Sequence, residues 1–411
     1  MSDPKAQQAN RTPRRPSLVA MVGPGLLLAA TGVGAGDLAT GSFVGSLLGT
    51  AVLWAVVVGA LMKFFVTEGL ARWQIATGET LLEGVTARAG RWTLWLFLPY
   101  LLLWSFFVGS ALMSATGATL HAILPVFSDA STGKIVFGAA ASLVGLGLVW
   151  VGGYRLFDHV MRVCIGVMFA TVVLMAVLLW PGIGAVLEGL FVPRIPDAGG
   201  QGLTWTLALI GGIGGTLTVL CYGYWLREEG RDSPQDLRLC RVDLTTGYVM
   251  TAIFGIAMVI IGSNVTIEGS GAQLLITLSD RLEIAMGPGG KWLFLIGTFG
   301  AVFSSLLGVW QCVPYLFADS WALLNGRRSD SIKIDTASIP YRAFLLAIAT
   351  IPMVGLFWSF RDVQMRYAVI GAWLFPALAL ILLVFNGRSE WVGEQFSNRP
   401  LTIVALLVVL A

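Results

Sequence analysis

Between Leu26 and Ser42 the chain reads LLLAATGVGAGDLATGS, an apolar run interrupted by glycines and carrying a single acid, Asp37. Hydrocarbon contains no water to pair with exposed amides and carbonyls, so irregular backbone at mid-span survives only inside protein or beside a water-filled cavity. A second interruption of the same kind follows in LALIGGIGGTLTVLCYGYW, Leu207 to Trp225. Glycines at such places also serve close helix packing, but a carboxylate within a span is costly and marks a functional site by default. The Gly-x-Gly spacing does not make a dinucleotide loop, because no strand precedes it and no βαβ unit surrounds it.

The remainder of the sequence frames these two interruptions. With 56% apolar residues, 12% charged residues and a mean hydropathy of +0.80, the chain is a polytopic membrane protein and not a soluble globule. A net charge of +3 spread over the connections offers no surface for nucleic acid. Cys164, Cys221, Cys240 and Cys312 lie in or beside apolar spans without CxxC spacing, which argues against a disulfide framework or a zinc site. Residues 1–17 are polar and basic with no cleavage pattern after them, so they read as a cytoplasmic tail and not as a signal peptide.

Segments able to cross about 30 Å of hydrocarbon are expected at Leu18–Leu48, Ala51–Ile75, Leu94–Leu120, Ile135–Val151 and Val160–Leu179, then at Leu203–Leu226, Leu244–Gly262, Leu293–Leu323, Ala343–Phe360 and Tyr367–Phe385. Leu401–Ala411 is too short and reads as the start of an eleventh helix. Because the two interrupted helices are the first and the sixth, the second series must cross in the opposite direction. The expected fold is therefore all-α, a five-plus-five inverted repeat: residues 18–182 and 203–386 are the repeats, and 387–411 a cytoplasmic loop with the start of a further helix. In such folds the site lies near mid-membrane between two discontinuous helices. Arg88, Arg91, Arg155, Arg227 to Arg241, Arg327, Arg328, Lys333, Arg388 and Arg399 fall on one side if the amino terminus is cytoplasmic, as the positive-inside rule requires. Trp92, Trp150, Trp180, Trp292 and Trp321 stand near span ends and read as interfacial anchors.

Four stretches, GPGLLLAATGVGAGDLAT, IATGETLLE, VLEGLFVPRIP and GTFGAVFSSLLGVWQ, carry a resemblance at the level of motifs. From about Gly23 to Arg399 the chain resembles the Nramp family of divalent metal transporters. GPGLLLAATGVGAGDLAT is similar to that family's first helix, IATGETLLE to its turn after the second, and VLEGLFVPRIP to the loop before the sixth. GTFGAVFSSLLGVWQ, Gly297 to Gln311, is similar to the eighth helix with its paired serines, here Ser304 and Ser305. The resemblance implies a membrane transporter, not an enzyme, in a bacterial plasma membrane, with a divalent metal ion as substrate and no cofactor. The departures fall on the ligands. The family's Asp-Pro-Gly-Asn reads Gly34, Ala35, Gly36, Asp37, and its Gly-Ala-Thr-Val-Met-Pro-His aligns with Gly214, Gly215, Thr216, Leu217, Thr218, Val219, Leu220. The expected ligand set is then all oxygen: the Asp37 carboxylate, the Thr218 hydroxyl, and freed carbonyls around Gly34 and Gly215. Oxygen donors suit Mg²⁺, Ca²⁺ or Mn²⁺ better than soft ions, and Mg²⁺ keeps several waters and needs only one or two carboxylates. Mg²⁺ or Mn²⁺ is the expected cargo, in keeping with a magnesium-carrying branch of the family's relatives.

Other charges have simpler readings. Glu68 with Arg72 and Asp158 with Arg162 stand four apart and pair on one helix face. Lys63 can snorkel or pair, His121 and His159 are surface or interfacial, and Asp243 makes a salt bridge near a helix terminus. The resemblance implies a proton relay in the family that uses the paired aspartate, the sixth-helix histidine and acids in the third helix. Those places read Gly34, Leu220 and, across Leu94–Leu120, no acid or histidine, which leaves Arg342 as a match to the relay's basic residue or as a positive-inside charge. Transport without proton coupling is expected. The rivals are a sodium-coupled symporter of amino acids or other small organic solutes, which shares the fold, and a non-transporting signalling relative, which calls for a soluble output domain.

Overall fold

The chain turns sharply at Gly49 (φ +66°), where the first membrane segment gives way to the second. The computed structural model describes residues 23–264, 274–326 and 334–410, with backbone alone at 35, 36, 152–158, 274, 281 and 285. Among the described residues every regular element is helical, and nine stretches are long and apolar enough to cross a membrane. The first of these, Asp37–Thr77, includes the turn at Gly49 and so contains the end of one crossing and all of the next. Ten crossings result among the described residues, as expected, and the protein is a multi-pass membrane protein.

The helices are α1 (Pro24–Gly32), α2 (Gly41–Leu48), α3 (Leu53–Thr77), α4 (Leu81–Ala89), α5 (Trp92–Ile123), α6 (Ala130–Leu178), α7 (Ile183–Phe191), α8 (Gly202–Gly212) and α9 (Cys221–Glu229). Then come α10 (Asp236–Ser263), α11 (Leu274–Met286), α12 (Pro288–Leu324), α13 (Ile339–Thr350), α14 (Phe360–Ala372), α15 (Leu374–Phe385), α16 (Ser389–Val392) and α17 (Pro400–Leu410). Local chemistry explains several ends. Pro24 opens α1, where a missing amide costs nothing. In the TGET turn, Thr80 and Glu83 form a reciprocal capping box that starts α4.

One element departs from expectation. The fourth and fifth spans form one helical run of 49 residues, α6, which if straight would be roughly 74 Å long, far more than a bilayer core. Its packing shows two arms. Along α12, Gly145 meets Leu306, whereas Cys164 meets Gly300 and Thr171 meets Gly297, so the later arm advances toward the start of α12 while the earlier arm leads to Trp150 near Arg342. The two expected crossings are kept; the loop between them is not.

Close glycine contacts fix direction. Gly25 abuts Asp243 and Gly45 abuts Val259, so the first segment runs parallel to α10. Gly59 abuts Ile210 and Gly223 abuts Gln74, so α3 runs parallel to α8 and α9. Since α3 is antiparallel to the first segment, the sixth segment crosses opposite to the first, which is the inverted relation. Arg91 against Gly326, Arg227 on Glu83 and Arg241 on Glu68 gather the cations at one end of the bundle. Trp92, Trp150, Trp180, Trp292 and Trp321 are all exposed, as lipid-interface anchors are. Glu68 and Arg72 pair as expected (2.7 Å), and Arg72 also holds the carbonyls of Phe396 and Ser397. His121 is buried against Gly133, not at the surface, while His159 is exposed. The four cysteines are free. The tail, Arg155, Asp158, Arg327, Arg328 and Lys333 fall outside the described residues or their side chains.

Candidate functional site

The two interruptions take different forms. Between α1 and α2, Val33–Thr40 is a π-helix, so the first helix is widened and not unwound. A π-helix bonds each carbonyl to the amide five residues on, so the carbonyl expected to be freed around Gly34 stays within the helix. Gly34 instead makes a close approach: its amide donates to Ser305 Oγ (2.6 Å), which donates to the Ala30 carbonyl (2.7 Å), pinning the first helix to α12. Ser304, the other member of the serine pair, bonds within its own helix.

The second interruption is a true break. α8 ends at Gly212, Ile213 to Thr216 leave helical geometry, and Leu217–Leu220 form a short 3₁₀ turn before α9. Gly214 (φ +72°) and Gly215 (φ +86°) occupy left-handed backbone, which a side chain at either position would strain. Gly32 lies so near that a Cβ there would strike the backbone of Gly214 and Gly215. The two interruptions therefore touch, backbone on backbone.

Asp37 joins them. It is fully buried (0% exposed), and its Oδ1 accepts from the Gly214 amide (2.8 Å), while its Oδ2 has no hydrogen-bond partner. Thr218 is buried with an unpartnered Oγ1 that lies beside the Gly215 Cα. Around them Trp104 Nε1–H donates to Thr216 Oγ1 (2.8 Å), the Tyr248 and Thr67 hydroxyls share a hydrogen bond (2.7 Å), and Gln364 donates to Thr40 (2.9 Å). Of the residues expected from sequence, Asp37, Gly215 and Thr218 come together at the second break. Gly34 faces α12.

Of the two readings of Lys63, snorkelling fails, and its partners were not foreseen. The side chain is 1% exposed, and its ammonium donates to the carbonyls of Gly211 (2.6 Å) and Ile213. Those are carbonyls that the end of α8 leaves without a helical partner. Lys63 and Asp37 hold the two ends of one peptide group, the Ile213 carbonyl and the Gly214 amide. The signal was available, because a lysine ten residues inside an apolar span is itself a functional-site pointer. Among the described residues no group of three or more His, Cys, Asp or Glu gathers to cage an ion. What the site offers a cation is one carboxylate oxygen and one hydroxyl, next to a resident ammonium.

Toward the basic end, Asp243 does form the expected salt bridge, with Arg231 (3.2 Å). Its larger task is different: its two oxygens accept from the amides of Gly23 (2.9 Å) and Gly25 (2.8 Å), so it holds the start of α1. Elsewhere at this end, Asp319 accepts from Tyr224 and Thr80, and Arg227 pairs with Glu83. Closure at this end is thus built from charged and hydroxyl groups.

Comparison with known proteins agrees with this architecture. The family model for natural resistance-associated macrophage protein-like sequences matches residues 25–411. A divalent metal cation transporter, MntH, of Chromohalobacter salexigens is 25% identical over 99% of this chain and 92% of its own length. An MntH of Yersinia pestis is 22% identical, covering 100% of this chain and 97% of that one. Among solved structures, a manganese transporter of Eremococcus coleocola superposes with a TM-score of 0.76 at 16% identity, covering 97% of this chain and 86% of that one. MhsT, solved in complex with L-phenylalanine, reaches a TM-score of 0.60 at 14% identity over 94% of this chain and 97% of its own. At these identities the structural likeness speaks for the fold.

Proposed function

The chain belongs to the Nramp family, a family of transporters and not of enzymes, and on that premise we propose that it carries a divalent cation across the membrane by alternating access, with Asp37 as the binding carboxylate. The observation that carries the reading is the buried Asp37 Oδ2, an acceptor with no partner at the meeting point of the two interrupted helices. Such an oxygen is costly to bury unless something visits it. The unpartnered Thr218 hydroxyl supplies a second oxygen donor. One carboxylate and one hydroxyl suit an ion that keeps part of its water, which favours Mg²⁺ or Mn²⁺ over a softer ion. The Gly215 carbonyl is the third candidate donor; Gly34, turned to Ser305, contributes position and not a ligand.

Transport in this reading runs down the ion's gradient without stoichiometric proton movement, with the amino terminus in the cytoplasm of a bacterial cell. The support for uncoupled movement is the absence of an acid or histidine across Leu94–Leu120 and the leucine at position 220. Arg342 stands over Trp150 at the edge of a cavity of about 420 Å³ near the basic end, as a positive-inside charge does. The test is uptake into proteoliposomes with a pH dye inside, over a panel of Mg²⁺, Mn²⁺, Ca²⁺ and Na⁺. Uptake of a divalent ion that Asp37→Ala removes supports the assignment. Wild-type uptake in that variant overturns it, and ion-driven acidification that Asp37→Ala abolishes overturns the uncoupled scheme.

A further inference from the structure

Lys63 sits where a cation binds, and it is a cation. The end of α8 turns the Gly211 and Ile213 carbonyls out of the helix, and both point at the Lys63 ammonium. Unwound carbonyls of this kind coordinate ions in discontinuous-helix transporters. Here the second membrane segment supplies a positive charge covalently, on the carbonyl end of the same peptide group whose amide is held by Asp37. A divalent ion arriving at Asp37 Oδ2 therefore adds its charge to a buried site that already holds an ammonium. Repulsion between ion and ammonium is weakly screened there.

The structure also gives Lys63 somewhere to go. Its ammonium lies 4.9 Å from the centre of the Phe375 ring, a cation–π seat. Behind its stem is an apolar cavity of about 560 Å³ lined by Met62, Ile210, Val369 and Phe375. The lysine thus has two faces, the freed carbonyls on one and an aromatic ring on the other.

We propose that Lys63 is a specificity-determining residue of this transporter: a tethered cation that competes with the cargo for the Gly211 and Ile213 carbonyls and keeps the site weak and selective for ions that retain their water. The proposal rests on the divalent-cation reading of Asp37. As the ion binds, the ammonium withdraws toward Phe375; as the ion leaves, it returns to the carbonyls. The protein itself supplies the charge that competes with the cargo.

The experiment measures Mg²⁺ and Mn²⁺ dissociation constants by calorimetry on the purified full chain for wild type, Lys63→Met, Lys63→Gln and Asp37→Ala. Lys63→Gln removes the charge but keeps an amide donor for one carbonyl, so it remains informative if Lys63→Met does not fold. The expected result is at least tenfold tighter binding of Mn²⁺ in both lysine variants, with a larger gain for Mn²⁺ than for Mg²⁺. Unchanged or weaker binding in a folded lysine variant overturns the proposal and leaves Lys63 as a strut for the broken helix. If wild type binds and Asp37→Ala does not, while the lysine variants match wild type, only this inference fails. If wild type and both lysine variants bind no divalent ion, the reading of the site fails and this inference with it.

Discussion

Asp37→Asn separates what the carboxylate does for the fold from what it does for the cargo. Asparagine keeps the shape and an oxygen able to accept from the Gly214 amide, so the link between the two interrupted helices survives. The charge is what disappears, and Lys63, 1% exposed, is left without the buried anion across the Ile213–Gly214 peptide. Stripping one partner from a touching buried ion pair costs about 3–5 kcal/mol. The Asp37 carboxylate and the Lys63 ammonium hold opposite ends of one peptide group without bonding to each other, and Lys63 keeps two carbonyl acceptors, so a smaller loss of about 2–3 kcal/mol is expected. In wild type, an ion present at about a hundred times its dissociation constant stabilises the folded state by about 2.7 kcal/mol. In Asp37→Asn that increment falls to zero. Both quantities are read from thermal unfolding of detergent-purified protein with and without the ion panel. The double variant Asp37→Asn with Lys63→Met, which removes both charges, should recover most of the lost stability and none of the ion response. A single variant as stable as wild type refutes the electrostatic link to Lys63. One that still responds to the ion refutes the carboxylate as ligand.

Further outcomes follow from neighbouring residues. Thr218→Met restores a thioether beside Gly215 and should raise Mn²⁺ or Cd²⁺ affinity relative to Mg²⁺; an unchanged ratio in the same calorimetry counts against Thr218 facing the ion. Asp243→Ala leaves Arg231 unpaired and the Gly23 and Gly25 amides without their acceptor, a loss of about 3 kcal/mol that should concentrate at one place. Amide exchange over residues 25–32 should quicken far more than over α12, and equal protection in both segments would show that Asp243 does not latch the first helix. Gly32→Ala drives a methyl into the Gly214 and Gly215 backbone, and overpacking of this kind costs about 1–3 kcal/mol or more; a thermal midpoint equal to wild type would mean that the two interruptions do not touch.

Composition and spacing carried the architecture a long way, for reasons visible in single residues. Apolar runs longer than a bilayer core forced ten crossings, and the glycines at 214 and 215 marked the break because only glycine occupies left-handed backbone without strain. Asp37 was legible because a lone carboxylate within a span is too costly to keep unless its charge is used. The form of the first interruption was not legible. Whether a glycine-rich stretch unwinds or widens into a π-helix depends on what packs against it, and here Ser305, 271 positions away from Gly34, takes its amide. The partners of Lys63 were not legible either. Sequence places a lysine in mid-span but does not say which way its four-carbon stem turns, and that choice belongs to carbonyls 148 and 150 positions along the chain. Only when α8 ends beside α3 do those carbonyls become free to accept, and the charge is drawn inward to the peptide group whose amide Asp37 holds.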